Sequence, residues 1–350
     1  MDIEKMIINE QVTVLEAMEH LDRVATKILF VAEKGRLLAA LTDGDIRRWI
    51  LQKGDLNAPV KNAANYSPQY LVGATRQQAL QHMRKQCIDA IPIVDSDRMI
   101  HSIVLRNKSE IVLRGEDVDI PIVIMAGGLG TRLYPYTKIL PKPLIPVADI
   151  PITERIIQSF QQIGCQQFYM IVNHKKNMIK AYFNDLDTRY HLKFCDEDTP
   201  LGTGGGISLL RDIVSETFIL TNCDVLIMED VRKIIKHHRQ QQNKVTMVCS
   251  LKNYEVPYGV VNFTEGGELS SFEEKPSLSF FTNTGYYILE TDVFGYVADN
   301  EKIGMPDILL RMKQDDQKIG VYPIGENAWM DMGQFDTMES MERRLKELGI

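Results

Sequence analysis

The chain has 350 residues, 44% hydrophobic and 25% charged, with a formal net charge of −7. Such a composition describes a globular protein of about two domains, and the acidic balance argues against a general nucleic-acid binder, whose footprint is basic. No apolar run approaches the ~20 residues that a bilayer crossing requires, so no membrane is expected as a partner. The amino-terminal MDIEKMIINEQ is acidic and mixed, unlike a signal or transit peptide, and the expected location is cytoplasmic. Five cysteines (Cys87, Cys165, Cys195, Cys223, Cys249) show no C-x-x-C spacing, which favours buried free thiols over disulfides or a zinc site.

The first third reads as a repeat. Residues 13–46 and 75–108 align without a gap: Thr13 with Thr75, Ala17 with Ala79, His20 with His82, Val31 with Ile93, Leu38 with Ile100. Each copy predicts a helix (Val14, Met18, Leu21; Leu80, Met83), a strand (28–31; 91–94), a turn and a second strand (37–41; 99–105), with a closing helix over 45–51 in the first copy. Units this small enclose no core alone and are expected to pack on each other.

The pattern resembles a tandem pair of cystathionine β-synthase (CBS) domains, which commonly bind adenosine or guanosine nucleotides, tune an attached enzyme and associate side by side. The resemblance implies regulation or oligomerisation, an AMP- or GMP-type ligand, and a homo-oligomer. Thr42-Asp-Gly-Asp45 matches that family's Thr-x-x-Asp ribose-binding element, whereas Val104 and Asn107 occupy the equivalent positions of the second copy. At most one such site is implied, and Asp45 could instead simply cap the helix that follows. A polar stretch at 114–121 marks the boundary between domains 1–117 and 118–350.

From Pro121 onward strands and helices alternate, which predicts an α/β sheet. Strands are expected at 122–125, 167–172, around Phe194, at 217–220 and at 245–251, with a helix over 152–163 burying Ile152, Ile156, Phe160 and Ile163. The first strand runs into Ala126-Gly127-Gly128-Leu129-Gly130-Thr131-Arg132-Leu133, with Lys142-Pro143 downstream. Glycines at a strand end let amides approach an anion, and the cations supply charge for more than one phosphate. Leu133 stands where a dinucleotide-binding G-x-G-x-x-G needs glycine, and Gly130 is followed by Thr131-Arg132 rather than the Lys-Ser/Thr of a P-loop.

This glycine-rich element with its Lys-Pro resembles the signature of the sugar-1-phosphate nucleotidyltransferases, which join a nucleoside triphosphate to a sugar phosphate and release pyrophosphate. The resemblance implies a Rossmann-like mixed-sheet domain and assigns roles. Ala126, Gly127, Gly128, Gly130 and Thr131 would bind the nucleotide, while Arg132 and Lys142 would be catalytic. Asp224, after an apolar run, and Asp331 in Trp329-Met-Asp-Met-Gly333 would hold Mg2+. Phe272-Glu-Glu-Lys-Pro276 would bring Lys275 to the sugar phosphate and Glu274 to sugar hydroxyls, beside Gly259 and Asn283. In most relatives the latter loop reads Asn-Ala-Gly; here Thr284 is the middle residue. In 196–206, Gly202 would approach base and ribose, and Glu197 matches a position that faces guanine in guanylyl-transferring relatives.

The expected reaction is in-line attack by sugar 1-phosphate on the α-phosphorus of the triphosphate. A CBS pair before such a domain resembles the glucosamine-1-phosphate guanylyltransferases of legionaminic acid synthesis, which implies GTP and glucosamine 1-phosphate. Mannose-, heptose- or glucose-1-phosphate, and dTTP or UTP, stay open. A nucleotide-sensing regulator without activity is the competing class, and lost signature residues, its hallmark, are not evident.

Overall fold

The computed structural model describes residues 3–24, 27–86, 88–105, 118–186 and 190–348. The chain divides into two compact units, Met1–Arg114 and Gly115–Ile350. The polar stretch read as a boundary, like Cys87 and Asn107, falls wholly or partly outside the described residues.

In the first unit, β1 (Ile7–Ile8) is followed by α1 (Val14–Val24), β2 (Ile28–Glu33), β3 (Arg36–Thr42) and α2 (Asp43–Leu51); then come β4 (Leu71–Val72), α3 (Arg76–Gln86), β5 (Ala90–Val94) and β6 (Ile100–Leu105). The result is two three-stranded sheets of the same plan. β1 pairs parallel with β2 and β2 antiparallel with β3, while β4, β5 and β6 repeat both relations. The two-residue strands β1 and β4 carry no periodicity that sequence reading can detect.

The gapless alignment needs one correction. Both hairpins have a register irregularity at the same place, Val31/Ala32 and Ile93/Val94. The first closes over Lys34-Gly35, both at positive φ, the geometry of a two-residue hairpin turn. The second has no glycine and is one residue longer, with Arg98 at φ 64 and the Asp95 carboxylate accepting from the Asp97 and Met99 amides. Beyond the loop the equivalences therefore move by one, so that Leu37, not Leu38, corresponds to Ile100. Leu105, not Val104, corresponds to Thr42, because Ile28 pairs with Thr42 and Ala90 with Leu105. The turns meet reciprocally: Leu37 N donates to Arg98 O and Ile100 N to Gly35 O, each at 2.9 Å. Phe30, Leu37 and Ala40 of one copy share a core with Ala90 and Val94 of the other, as two halves too small to fold alone must do.

The second unit continues with β7 (Ile122–Ala126), α4 (Tyr136–Ile139), β8 (Pro146–Val147), β9 (Ile150–Pro151), α5 (Ile152–Gln161), β10 (Gln167–Val172), α6 (Lys176–Asp185), β11 (His191–Asp196), α7 (Gly202–Gly205), β12 (Phe218–Asn222) and β13 (Val225–Ile227). After these come α8 (Val231–Gln241), β14 (Val245–Glu255), β15 (Val260–Phe263), β16 (Leu269–Glu273), β17 (Ser277–Leu289), α9 (Met305–Gln314), β18 (Ile319–Ile324), β19 (Trp329–Asp331) and α10 (Phe335–Leu348). Seven strands form one mixed sheet in the order β11-β10-β7-β12-β17-β14-β18. β17 runs antiparallel to both its neighbours, and the other pairings are parallel.

Alternation along β7 shows why its apolar run is continuous. Ile122 and Ile124 join the core that α5, α6, α8 and α10 cover, whereas Val123 joins the core under α9. A strand buried on both faces loses the polar half of the two-residue period. β14 and β17 also pair beyond the sheet, from Leu251–Phe281 to Glu255–Ser277, and between them lies the exposed hairpin β15–β16.

Candidate active site

Because β11, β10, β7 and β12 are parallel, their carboxyl ends share one edge, where open α/β sheets collect ligands. The glycine-rich segment follows β7, Glu197 follows β11, and Asp224 lies two residues beyond β12.

Asp224 is 7% exposed and forms an ion pair with Lys142. The distant Asp331 is delivered by the antiparallel pairing of β13 with β19, which sets Val225 opposite Asp331, and the Met332 amide donates to the Asp224 carbonyl at 3.0 Å. Burial and the neighbouring Asp224 raise the Asp331 carboxyl to about 6, opposed by the charges of Lys142 and Arg132. Burial works against the Lys142 ammonium, but the surrounding acids, Asp224 foremost, outweigh it and hold the group above the ordinary lysine range. The fold therefore assembles two carboxylates and a half-buried cation from three separate segments. Among the described residues no cluster of three or more His, Cys, Asp or Glu side chains could hold a metal. Two carboxylates do suit Mg2+, which takes one or two together with substrate phosphates.

The glycine-rich segment is braced from behind. Gly130 has φ 64, and a Cβ there would come within 2.9 Å of Thr137 Cγ2 and 3.2 Å of Lys142 Cβ. Buried Thr137 donates its hydroxyl to the Gly130 carbonyl at 2.9 Å. Leu133, where a dinucleotide fingerprint would have glycine, is fully buried, while Thr131 and Arg132 are exposed. Around Gly128 the space is open.

Glu197 is 4% exposed, and its carboxyl lies between two glycine backbones. A Cβ on Gly127 would sit 2.7 Å from Oε2, and one on Gly206 2.7 Å from Oε1. Burial raises this carboxyl to about 7 despite a hydrogen bond from the Leu201 amide. Among the described residues its Oε1 has no hydrogen-bond partner, although an unpaired buried polar atom is costly. Asn173 fixes the local backbone by donating Nδ2 to the Glu197 carbonyl at 3.0 Å. Gly202 and its successors have a packing reason that sequence reading missed: the Gly204 and Gly205 amides both donate to the Ile303 carbonyl, at 3.0 and 3.1 Å. Nothing in the sequence around Ile303 signals that partner.

Asn283 accepts from the Gly285 amide at 3.0 Å, and a Cβ on Gly285 would strike Asn222 at the end of β12, so this loop borders the Asp224 edge. Thr284 is buried and donates to the Val248 carbonyl at 2.8 Å, where β14 is irregular. The Asn-Ala-Gly departure thus has a structural reason. Gly259 and Glu274 also meet, the Glu274 Oε2 lying 3.1 Å from where a Gly259 Cβ would be. Lys275 is exposed at φ 46 on the turn between β16 and β17, and no ion pair among the described residues joins it to the Asp224 cluster.

In the first unit, Thr42 and Asp45 form a capping box at the start of α2. The Thr42 amide and hydroxyl donate to Asp45 Oδ2 at 2.8 and 2.5 Å, the Asp45 amide donates to the Thr42 hydroxyl at 3.1 Å, and Arg48 pairs with Asp45. The helix-capping use left open by the sequence is therefore realised.

A mixed α/β sheet with glycines, a cation and paired carboxylates at its carboxyl edge defines a nucleotide-handling α/β protein. Residues 122–347 match the model of the nucleotidyl transferase family, and the chain belongs to that family. A D-glycero-alpha-D-manno-heptose 1-phosphate guanylyltransferase of Campylobacter jejuni is 33% identical over 53% of this chain and 83% of its own length. A UTP–glucose-1-phosphate uridylyltransferase of Synechocystis is 29% identical over 61% of this chain, and mannose-1-phosphate guanylyltransferase 1 of Arabidopsis thaliana is 28% identical over the same share. The match spans 60 and 61% of the length of these last two. Among solved structures, HddC from Yersinia pseudotuberculosis (TM-score 0.51, 21% identity, 65% of this chain and 99% of that one) has the same fold as the second unit. No helix among the described residues is long and apolar enough to cross a membrane.

Proposed function

We propose that the chain transfers a nucleotidyl group from GTP to a sugar 1-phosphate, giving a GDP-sugar and pyrophosphate. The observation that carries this reading is the convergence of Lys142, Asp224 and Asp331 at the sheet edge that also holds Glu197. A phosphate oxygen of the sugar 1-phosphate attacks the α-phosphorus, the bond from that phosphorus to the α–β bridging oxygen breaks, and the electron pair leaves with pyrophosphate. The nucleophile is already anionic and no general base is required, so positioning and charge neutralisation carry the chemistry. The amides of 127–131 and Arg132 receive the leaving pyrophosphate, Lys142 faces the α-phosphate, and Lys275 holds the attacking phosphate. Glu274, Gly259 and Asn283 contact the sugar. Asp224 and Asp331 would hold Mg2+, which supplies further charge neutralisation at the phosphates when bound.

Guanine is favoured by Glu197, since a carboxylate accepts from both the N1–H and the 2-amino group of guanine, whereas uracil and thymine present only one donor. Two of the relatives above are named guanylyltransferases, in keeping with this choice. Glucosamine 1-phosphate is the preferred sugar, on the strength of a CBS-like pair (1–117) preceding a catalytic domain (118–350) with Glu197. The repeated sheets and their reciprocal turns support that pair as a regulatory or oligomerising module of a cytoplasmic homo-oligomer. Thr42 and Asp45 are its candidate site for an AMP- or GMP-type ligand.

The test is pyrophosphate release in a matrix of four triphosphates against glucosamine-, N-acetylglucosamine-, mannose-, heptose- and glucose-1-phosphate. The expected outcome is turnover with GTP and glucosamine 1-phosphate. Higher turnover with dTTP or UTP would overturn the base assignment, and preference for another sugar the sugar assignment.

A further inference from the structure

We propose that Lys175 is a positioning residue that holds the phosphate-binding segment 130–142 in its nucleotide-ready shape. Lys175 follows β10, outside every motif singled out in the sequence. Its backbone adopts the left-handed conformation (φ 53, ψ 30) at the start of α6, which side-chain-bearing residues rarely enter. From there its ammonium donates to three successive carbonyls, those of Thr137 at 3.1 Å, Lys138 at 2.6 Å and Ile139 at 2.9 Å. An ammonium has three N–H donors, and all are used. These acceptors lie at the end of α4, where a helix leaves carbonyls without partners of its own.

The consequence passes forward through two contacts. Thr137, the first residue held, donates its hydroxyl to the Gly130 carbonyl, and its methyl group limits the space at Gly130, which in turn abuts Lys142. Lys175 thereby links the end of β10 to the glycine-rich turn and to the cation facing Asp224. Between the buried Leu133 and Pro141 the segment has little apolar anchorage: Tyr134, Tyr136 and Ile139 are 45, 54 and 75% exposed, and Tyr136 touches Phe335 at a ring separation of 5.5 Å. Three convergent acceptors suit a point-like ammonium better than the flat fork of arginine, so Arg is a partial replacement.

This inference rests on the nucleotidyl-transfer reading for its kinetic consequence but not for its structural one. The experiment uses full-length Lys175→Met and Lys175→Arg. It follows amide exchange over 130–140, where Leu133, Tyr134, Lys138 and Leu140 N–H groups are bonded within the segment, together with KM for GTP and for sugar 1-phosphate. In Lys175→Met, loss of three charge-assisted bonds should accelerate exchange over 130–140 and raise KM for GTP by about tenfold or more. KM for the sugar phosphate should move less than about twofold, and Lys175→Arg should fall between. If the Met variant fails to fold, the Arg variant carries the same test. Unchanged exchange over 130–140, or exchange rising throughout the second unit with both KM values increasing alike, would overturn the proposal. Absence of turnover in the wild type with locally faster exchange in the variants would sink the transferase reading and leave the positioning role standing.

Discussion

At the nucleotide end of the site, Glu197 and Asp224 are 4 and 7% exposed, each held against glycine backbone or a cation. At the proposed sugar end, Glu274 and Lys275 stand on the turn between β16 and β17 and Asn283 on β17, all three exposed. The first set lies at strand ends of the main sheet, and part of the second lies on an arm that extends from β14 and β17. On the proposed reading, the difference teaches that the nucleotide end is held in place by packing, whereas the sugar end is built from exposed side chains that packing does not fix. A substitution that disturbs a buried group at the first end should therefore affect folding and function together, and one at the second should affect function alone.

The largest expected effect breaks the Asp224–Lys142 pair. Asp224→Ala should lower kcat about 10²–10³-fold, and loss of the ion pair with half-buried Lys142 should lower Tm as well, softened by Asp331, which stays near the ammonium. Lys275→Ala should match the loss in rate while leaving Tm unchanged, because Lys275 is exposed; equal Tm losses would erase the contrast. Next come two adjacent glycines. Gly127→Ala must displace the Glu197 carboxyl, 2.7 Å from the new Cβ, and should lower both Tm and GTP affinity, the latter by about tenfold. Gly128→Ala meets open space and should weaken GTP binding at unchanged Tm.

A smaller effect appears with pH. Burial keeps Glu197 protonated up to about 7; if Glu197 reads guanine as proposed, the ionised form would accept from the base, so GTP affinity should rise between about pH 6 and 8, by no more than tenfold per unit. Glu197→Gln should remove that dependence. The stability sign follows from linkage: the folded state retains a proton that the unfolded chain loses near its model value of 4.5, so ionising Glu197 costs stability as pH rises from there to about 7. Wild-type Tm should fall across that window relative to Glu197→Gln, and parallel Tm curves would contradict the burial argument. The smallest effect lies in the first unit, where Thr42→Ala should cost about 1 kcal/mol of stability through the lost cap and leave turnover without effector unchanged.

Strands buried on both faces were readable to within a few residues: the run expected at 122–125 is Ile122–Ala126, and Gln167–Val172 has the expected limits. The pairing of Asp224 with Asp331 was legible only through family resemblance, since the strands that bring them together are three residues each. Residues such as Ile303 and Lys175 escaped because their contribution comes through backbone carbonyls and a three-way bond set by tertiary geometry. The single-residue slip in the repeat was hidden for a related reason. One extra loop residue changes no apolar pattern, and only the register shows it.

The most direct measurement is release of pyrophosphate from GTP by the wild type and Asp224→Ala side by side, with and without sugar 1-phosphate. The account predicts pyrophosphate and a nucleotide-sugar in equal amounts, dependent on the sugar phosphate and reduced at least about a hundredfold in the variant. Release independent of the sugar phosphate, or equal rates in the two proteins, would contradict it.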